Sequence, residues 1–325
     1  MTLDHELERA KAVLEAGGVV ALPTETVYGL AASIRSEEGI RRIFAIKERP
    51  FFDPLIVHIS DLEQKTQVIR HWPPVAAHLA SRFWPGPLTM VLPKHPDLNP
   101  LITAGLDTVG IRMPAHPIAR KLIEECRFPL AAPSANKFGK TSPTKAEHVR
   151  KGFEKEELMI LDGGQSEVGL ESTVVAIEEQ NGKDILTILR PGAITKDILE
   201  AALKERGTPF ELLQGSSLAS PGNTEHHYMP NIPLVIVEQE RQALKQDTRE
   251  QICADFAFER NVLCAELRLD TNPKIAARSL YVRLRECSDS GASFIYAVRH
   301  AEQDGGIWDA IWDRLTRASS RTYKV

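Results

Sequence analysis

Cysteine is scarce and unpatterned. The chain has four, Cys126, Cys253, Cys264 and Cys287, with no CxxC pair and no zinc-like spacing. The sequence therefore offers neither a thiolate metal site nor a disulfide framework, and it predicts buried, reduced thiols. Long apolar runs are missing too. No stretch reaches the roughly 18 consecutive apolar residues that read as a membrane helix, so no membrane is expected as a partner. Positive charge is not in excess: 40 Lys and Arg stand against 44 Asp and Glu, a formal net charge of -4. A dedicated nucleic-acid binder carries a basic excess, which disfavours RNA as the principal partner. The opening segment MTLDHELERAKAVLEAGG is charged and helical in pattern without an apolar signal core, which points to the cytoplasm.

What is present is ordinary for a globular protein: 42% hydrophobic and 26% charged residues over 325 positions. At about 150 residues per domain, that length suggests two domains. Leu3, Leu7, Ala10 and Leu14 repeat at helical spacing, and Gly17–Gly18 stop that helix before the short strand at 19–22. Ser36 suits the cap of a helix ending near Lys47, and LIVHI (55–59) reads as a strand behind a Pro50–Pro54 loop. Further strands are predicted at 88–92, 108–113, 129–132, 158–162, 172–177 and 185–190, and helices at 74–83, 117–126, from Ser142–Pro143, and from Thr195. Strands and helices intermix without strict alternation, which predicts an α/β fold with a twisted mixed parallel and antiparallel sheet. Ser, Gly, Pro and Asn dominate from Gln214 to Pro233, as in a linker. Strands at 234–238, 261–267 and 294–298 and a closing helix with Ile307, Ile311 and Leu315 then predict a second, smaller Rossmann-like α/β domain. The expected division is 1–206, linker 207–233, and 234–325.

Chemistry-bearing residues gather in a few blocks. PTETVYGL (23–30) sets two threonines around a glutamate just past a strand end, which suits either a ligand pocket or a strand-to-helix turn. In IKERPFFDPLIVHI (46–59), Lys47 and Arg49 form a rigidly held cation pair. Such a pair fits a polyphosphate, or simply a helix dipole. His58 lies on a strand, as a ligand or as a satisfied structural histidine. Thr108, Gly110 and Arg112 share one strand face. Arg112 there fits a carboxylate or phosphate, or an ion pair with Asp107 or a glutamate. APSANKFGKTSPT (132–144) is not a P-loop, because Ser134 occupies the position where GxxxxGK[ST] needs glycine. Ser134 and Asn136 still suit a polar loop at a strand end. Ser172 and Thr173 open a strand, Gly163–Gly164 suit a tight turn, and Arg190 stands at a strand exit as another phosphate candidate or a surface arginine.

Together PTETVYGL, IKERPFFDPLIVHI, WPGPLT, AGLDTVGIRMPAHP, AAPSAN, SPT, DGG…GLEST and LRPG resemble the YrdC-type threonylcarbamoyl-AMP synthase family, in its order, over residues 17 to 203. The Gly-Pro-rich linker ending in HHYMP and the second α/β domain look like the longer, two-domain form. The resemblance implies a sheet around a deep, positively charged cavity. It implies synthesis of threonylcarbamoyl-adenylate from L-threonine, bicarbonate and ATP, with Mg2+ accompanying the nucleotide and no tightly bound cofactor. Downstream tRNA threonylcarbamoyl transferase proteins would take the product, with direct tRNA binding weak or absent. By resemblance, Lys47 and Arg49 are the catalytic cations on the phosphates, and Asp53, Thr108, Ser134, Asn136, Ser142, Arg190 and Tyr228 complete the ATP side. Thr26, His58, Arg112, the backbone of Ala132, and Ser172 would hold threonine. His227 and Tyr228 are expected to act as a lid that excludes water. Two positions depart from the family pattern: Asp53 stands where asparagine is usual, and SPGNTEHHYMP lacks the basic residues of SPGMKYKHYAP. Two rival readings are an RNA-binding module and a carbamoyl transferase with another acceptor.

Overall fold

The computed structural model describes residues 2–215, 227–238, 244–259 and 262–324. The chain divides into two compact units, residues 1–138 with 142–223, and residues 139–141 with 224–325.

In the first unit, helix α1 (Leu3–Glu15) buries Leu7, Ala10 and Leu14 along one face. Gly17 ends the turn at a φ of 75° that a side chain would resist. Strands β1 (Val20–Leu22) and β2 (Gly29–Ser33) pair antiparallel. The PTETVY loop therefore joins strand to strand rather than strand to helix. Helix α2 (Glu37–Lys47) starts on Ser36, whose Oγ accepts the Gly39 N–H at 3.0 Å, and its last residue is Lys47. The unit continues through β3 (Ile56–His58), α3 (Pro74–Phe83), β4 (Leu88–Pro93), β5 (Thr108–Arg112), α4 (Pro117–Cys126) and β6 (Leu130–Ala131). It closes with α5 (Ala146–Gly152), β7 (Met159–Ile160), β8 (Thr173–Gln180), β9 (Lys183–Arg190), α6 (Lys196–Arg206) and β10 (Phe210–Gln214).

Among the described residues these strands form one sheet in the order β10-β9-β8-β4-β5-β3-β6-β2-β1-β7. The pairs β3–β5, β4–β8, β1–β7 and β9–β10 are parallel, while β2–β6, β3–β6, β4–β5 and β8–β9 are antiparallel, giving the mixed sheet expected. Alternation along β1 covers both faces: Val20 and Leu22 join α1 and α4 in one core, and Ala21 joins Ile40, Phe44 and Leu79 in the other.

Two expectations are corrected. The helix predicted from Ser142–Pro143 begins only at Ala146, because tertiary bonds claim the preceding backbone. Pro143 O accepts from Tyr28 N, and Thr144 O accepts from Ser166 N. Part of the expected linker is strand β10, whose Phe210 and Leu212 pack on the core.

The second unit is built from β11 (Leu234–Glu238), α7 (Gln246–Asp255), β12 (Cys264–Glu266), α8 (Pro273–Asp289), β13 (Phe294–Arg299), α9 (Ile307–Ala318) and β14 (Arg321–Lys324). Its sheet runs β12-β13-β11-β14 with every pairing parallel, and the intervening helices supply the crossovers that parallel strands require. That is the smaller Rossmann-like domain. The strand predicted at 261–267 is shorter, at Cys264–Glu266, and residues 260–261 lie outside the described residues. No cysteine is in a disulfide, and burial pushes the Cys126 thiol up to about 12. No helix among the described residues is long and apolar enough to cross a membrane.

Candidate active site

The end of α2 and the loop after β6 are tied by one side chain. Lys47 is buried, and its Nζ donates to the backbone carbonyl of Ser134 at 2.6 Å and to that of Asn136. Phe138 N–H returns a bond to the Lys47 carbonyl at 2.8 Å. Burial, then the neighbouring Arg49, pushes the Lys47 ammonium well below the usual lysine range, with Asp53 opposing. Arg49 folds back on its own loop, donating to Asp53 O at 3.1 Å and Pro54 O at 2.7 Å, and it pairs with Asp53 Oδ2 at 2.9 Å. The unusual aspartate thus has a local reason: it orients a buried guanidinium.

A second cluster is set by strand register. In the parallel pair β3–β5, His58 lies opposite Arg112. Ile56 O accepts from Ala132 N–H at 2.9 Å and lies 3.2 Å from His58 Nδ1. A carbonyl only accepts, so Nδ1 carries the proton and Nε2 is left as an acceptor. Arg112 Nη1 donates to Thr26 Oγ1 at 2.9 Å, Nη2 to Glu25 Oε1 at 2.6 Å, and Nε to Gly86 O at 3.1 Å. The arginine therefore does pair with a glutamate, though one 87 positions away. Thr24 gives its hydroxyl proton to Val27 O at 2.6 Å, so in the 2.8 Å contact between the threonines Thr26 must donate to Thr24. Thr26 Oγ1 then has only acceptor capacity left. Its bonds leave the cluster one donor fork, Arg112, and two acceptors, Thr26 and His58. That polarity matches a zwitterion, carboxylate to the fork and ammonium or hydroxyl to the acceptors.

Burial, followed by the Arg112 charge, lowers His58 from 6.5 to about 3. The folded value lies below the unfolded one, so protons bind the unfolded chain first as pH falls. His58 therefore withdraws stability as pH drops from about 6.5 toward about 3 and withdraws none above that window. In chemical denaturation, a His58→Gln variant is expected to lose less stability than wild type over this acid range. Parallel curves for the two proteins would refute a buried neutral histidine.

The third cluster lies where β8 begins. Ser172 Oγ is 2.8 Å from Thr89 Oγ1 and accepts from Arg190 Nη2 at 3.1 Å, while Arg190 Nε donates to Ser172 O at 3.2 Å. Ser142 Oγ donates to Glu171 Oε1 at 2.6 Å, one residue before Ser172. Gly192 guards this corner. A Cβ there would meet Thr173 N at 2.5 Å and Glu171 O at 2.9 Å, and both are backbone atoms. Gly192→Ala is expected to cost about 1–3 kcal/mol of stability, as overpacked substitutions do. It should also weaken any ligand held by Ser172. An unchanged thermal midpoint would contradict the contact.

Hydrogen bonds and register thus join Lys47, Ser134 and Asn136; Arg49 and Asp53; His58, Arg112, Thr26 and Ala132; and Ser172, Arg190 and Ser142. Thr108 is half-buried at the far end of β5, about 13 Å along the strand from Arg112 at the usual rise per residue. Tyr228 belongs to the second unit, where its ring lies 4.2 Å from that of His227 and 6.0 Å from that of Tyr281. Residues 216–226 of the expected lid lie outside the described residues. Glu25 was noted from sequence only as the glutamate between two threonines, and Thr89 and Glu171 were not singled out. Each stands inside a quoted block, but only the folded chain supplies the partner that marks it.

Fold and side chains together define an α/β protein in which cations and hydroxyls are buried along the strands of one mixed sheet. Residues 12–192 match the family model described as "Telomere recombination", and residues 194–320 match "Threonylcarbamoyl-AMP synthase, C-terminal domain". The threonylcarbamoyl-AMP synthase of Bacillus subtilis is 40% identical, over 98% of this chain and 94% of that protein. That of Pyrococcus abyssi is 38% identical, over 99% of this chain and 96% of that protein. The crystal structure of P. abyssi Sua5 complexed with L-threonine superposes with a TM-score of 0.85 at 37% identity, covering 98% of this chain and 96% of that one. The chain belongs to the threonylcarbamoyl-AMP synthase family.

Proposed function

We propose that this chain is an L-threonylcarbamoyladenylate synthase that joins L-threonine, bicarbonate and ATP and releases pyrophosphate. The observation that carries the reading is the β3–β5 register. One short segment runs from the Lys47–Arg49 cations, suited to phosphates, into His58, which lies beside the carboxylate-seeking Arg112. Arg112 takes the threonine carboxylate, and Thr26, His58 Nε2 and the Ala132 carbonyl accept from its ammonium and hydroxyl. Ser172 closes that side. Lys47 and Arg49 meet the phosphates, with Asp53 acting through Arg49. Ser134, Asn136, Ser142, Arg190 and Thr108 complete the nucleotide side.

The threonine amine, once deprotonated, adds to bicarbonate with loss of water to form a carbamate. A carbamate oxygen attacks the α-phosphorus in line, and the bond to pyrophosphate breaks. The nucleophile comes from the substrate, so the protein contributes positioning and charge neutralisation. Among the described residues no group of three or more His, Cys, Asp or Glu is placed to hold a metal. Mg2+ comes with the ATP substrate, held mainly by its phosphates. The product is a reactive mixed anhydride, which suits hand-over to tRNA threonylcarbamoyl transferase proteins in the cytoplasm, where ATP and tRNA are at hand. We assign catalysis to residues 1–206 together with strand β10, and an accessory role to 234–325.

The test is conversion of ATP to AMP and pyrophosphate with threonine or bicarbonate omitted in turn. Both omissions are expected to abolish turnover. Turnover indifferent to threonine would sink the proposal.

A further inference from the structure

Arg112 is too well held to be explained by a substrate alone. Its guanidinium and the Glu25 carboxylate are both buried, with side chains 4% and 7% exposed. The two oxygens of Glu25 have separate tasks. Oε1 accepts from Arg112 Nη2 at 2.6 Å, and Oε2 accepts the backbone N–H of Ala115 at 3.0 Å. The Glu25 backbone is fixed as well, since its carbonyl accepts Val168 N–H at 2.7 Å. One residue thereby ties together the loop before β2, the exit of β5, and the loop that leads toward Ser172.

We propose that Glu25 is the positioning residue of the amino-acid subsite, an obligatory carboxylate that sets the Arg112 fork for the substrate carboxylate. The inference rests on the threonine-binding reading above and deepens it. A guanidinium has five N–H groups. Glu25, Thr26 and Gly86 take three of them in fixed directions. Two N–H groups remain for a ligand, and their direction is set by the other three. The substrate carboxylate then meets a fork already immobilised, so little ordering accompanies binding.

The chemistry also says why the residue must be ionised glutamate. Both oxygens face donors. A glutamine amide would accept on one side only and turn its NH2 group against either Arg112 or the Ala115 N–H. Near-identity of shape does not rescue it. Aspartate keeps two accepting oxygens but is one methylene too short to span both partners.

The experiment is isothermal calorimetry on the full chain with L-threonine, L-threoninamide and ATP, for wild type and Glu25→Gln, with thermal unfolding as the check on folding. In the glutamine variant the threonine Kd is expected to rise at least about tenfold, the effect of one poorly aligned charged contact. Preference for threonine over threoninamide, which lacks the carboxylate, should shrink by a similar factor, while the ATP Kd stays within about twofold of wild type. A merely structural role would lower both affinities together and leave the preference intact, which overturns the proposal. So does a folded variant with an unchanged threonine Kd. Should the glutamine variant not fold, Glu25→Asp carries the same readouts, with the same losses expected. Wild type that fails to bind threonine at all would overturn the function proposed above, whereas wild type that binds threonine no better than the variant does overturns only the role of Glu25.

Discussion

Lys47→Met is expected to lower pyrophosphate release by about 10²–10³-fold, the usual consequence of deleting one preorganised donor from a site of developing charge. Methionine keeps an unbranched apolar stem in the same buried space and removes only the ammonium. The effect should be large because the ammonium is held in place before any ligand arrives, by the carbonyls of Ser134 and Asn136. Those bonds aim it, and burial with the Arg49 charge leaves it poorly compensated without an anion. A polyphosphate relieves that imbalance and fixes the lysine as charged. Single-turnover assays with saturating threonine and bicarbonate measure the step. A rate within tenfold of wild type would remove Lys47 from the chemistry.

Arg112→Ala is expected to have two separable effects. It leaves the buried Glu25 carboxylate without its cation, and breaking a buried pair from one side costs about 3–5 kcal/mol. It also removes the donor fork of the threonine subsite. The two can be told apart with a second substitution. Glu25→Leu in an Arg112→Met background removes both charges, and an apolar replacement of a buried pair is often close to neutral. The double variant should therefore recover most of the stability in chemical denaturation while remaining unable to bind threonine. Recovery of binding along with stability would show that Arg112 is structural only.

Much of this could be read from the residues in order. The apolar period of α1, the Ser36 cap, the glycine stop and the alternation along β5 are local signals, and local physics decides them. The family blocks were equally legible, because each is a contiguous run of side chains at a strand end or turn. The misplaced helix start at 142–144 shows the limit. Ser-Pro is a sound helix opening in isolation, but Tyr28 and Ser166 take the carbonyls that would have begun it. Strand β10 was hidden for a related reason, since a short run beside a polar stretch is a strand only when β9 is there to pair with it.

The site divides along the same line. The sequence by itself determined which groups are available: two cations at a helix end, a histidine and an arginine on separate strands, and hydroxyls at strand ends. It also determined the family to which they belong, because residue identity and order carry that information. Only the tertiary structure decided what those groups are free to do. Glu25 is 87 positions from Arg112, and the hydroxyl proton of Thr26 has a direction only because Thr24 has already given its own to Val27. Asp53 looked like a charge in the wrong place until the fold of its loop set it against Arg49. Hydrogen-bond direction and the pairing of buried charge depend on which atoms meet in space, and strand register, rather than sequence spacing, settles that.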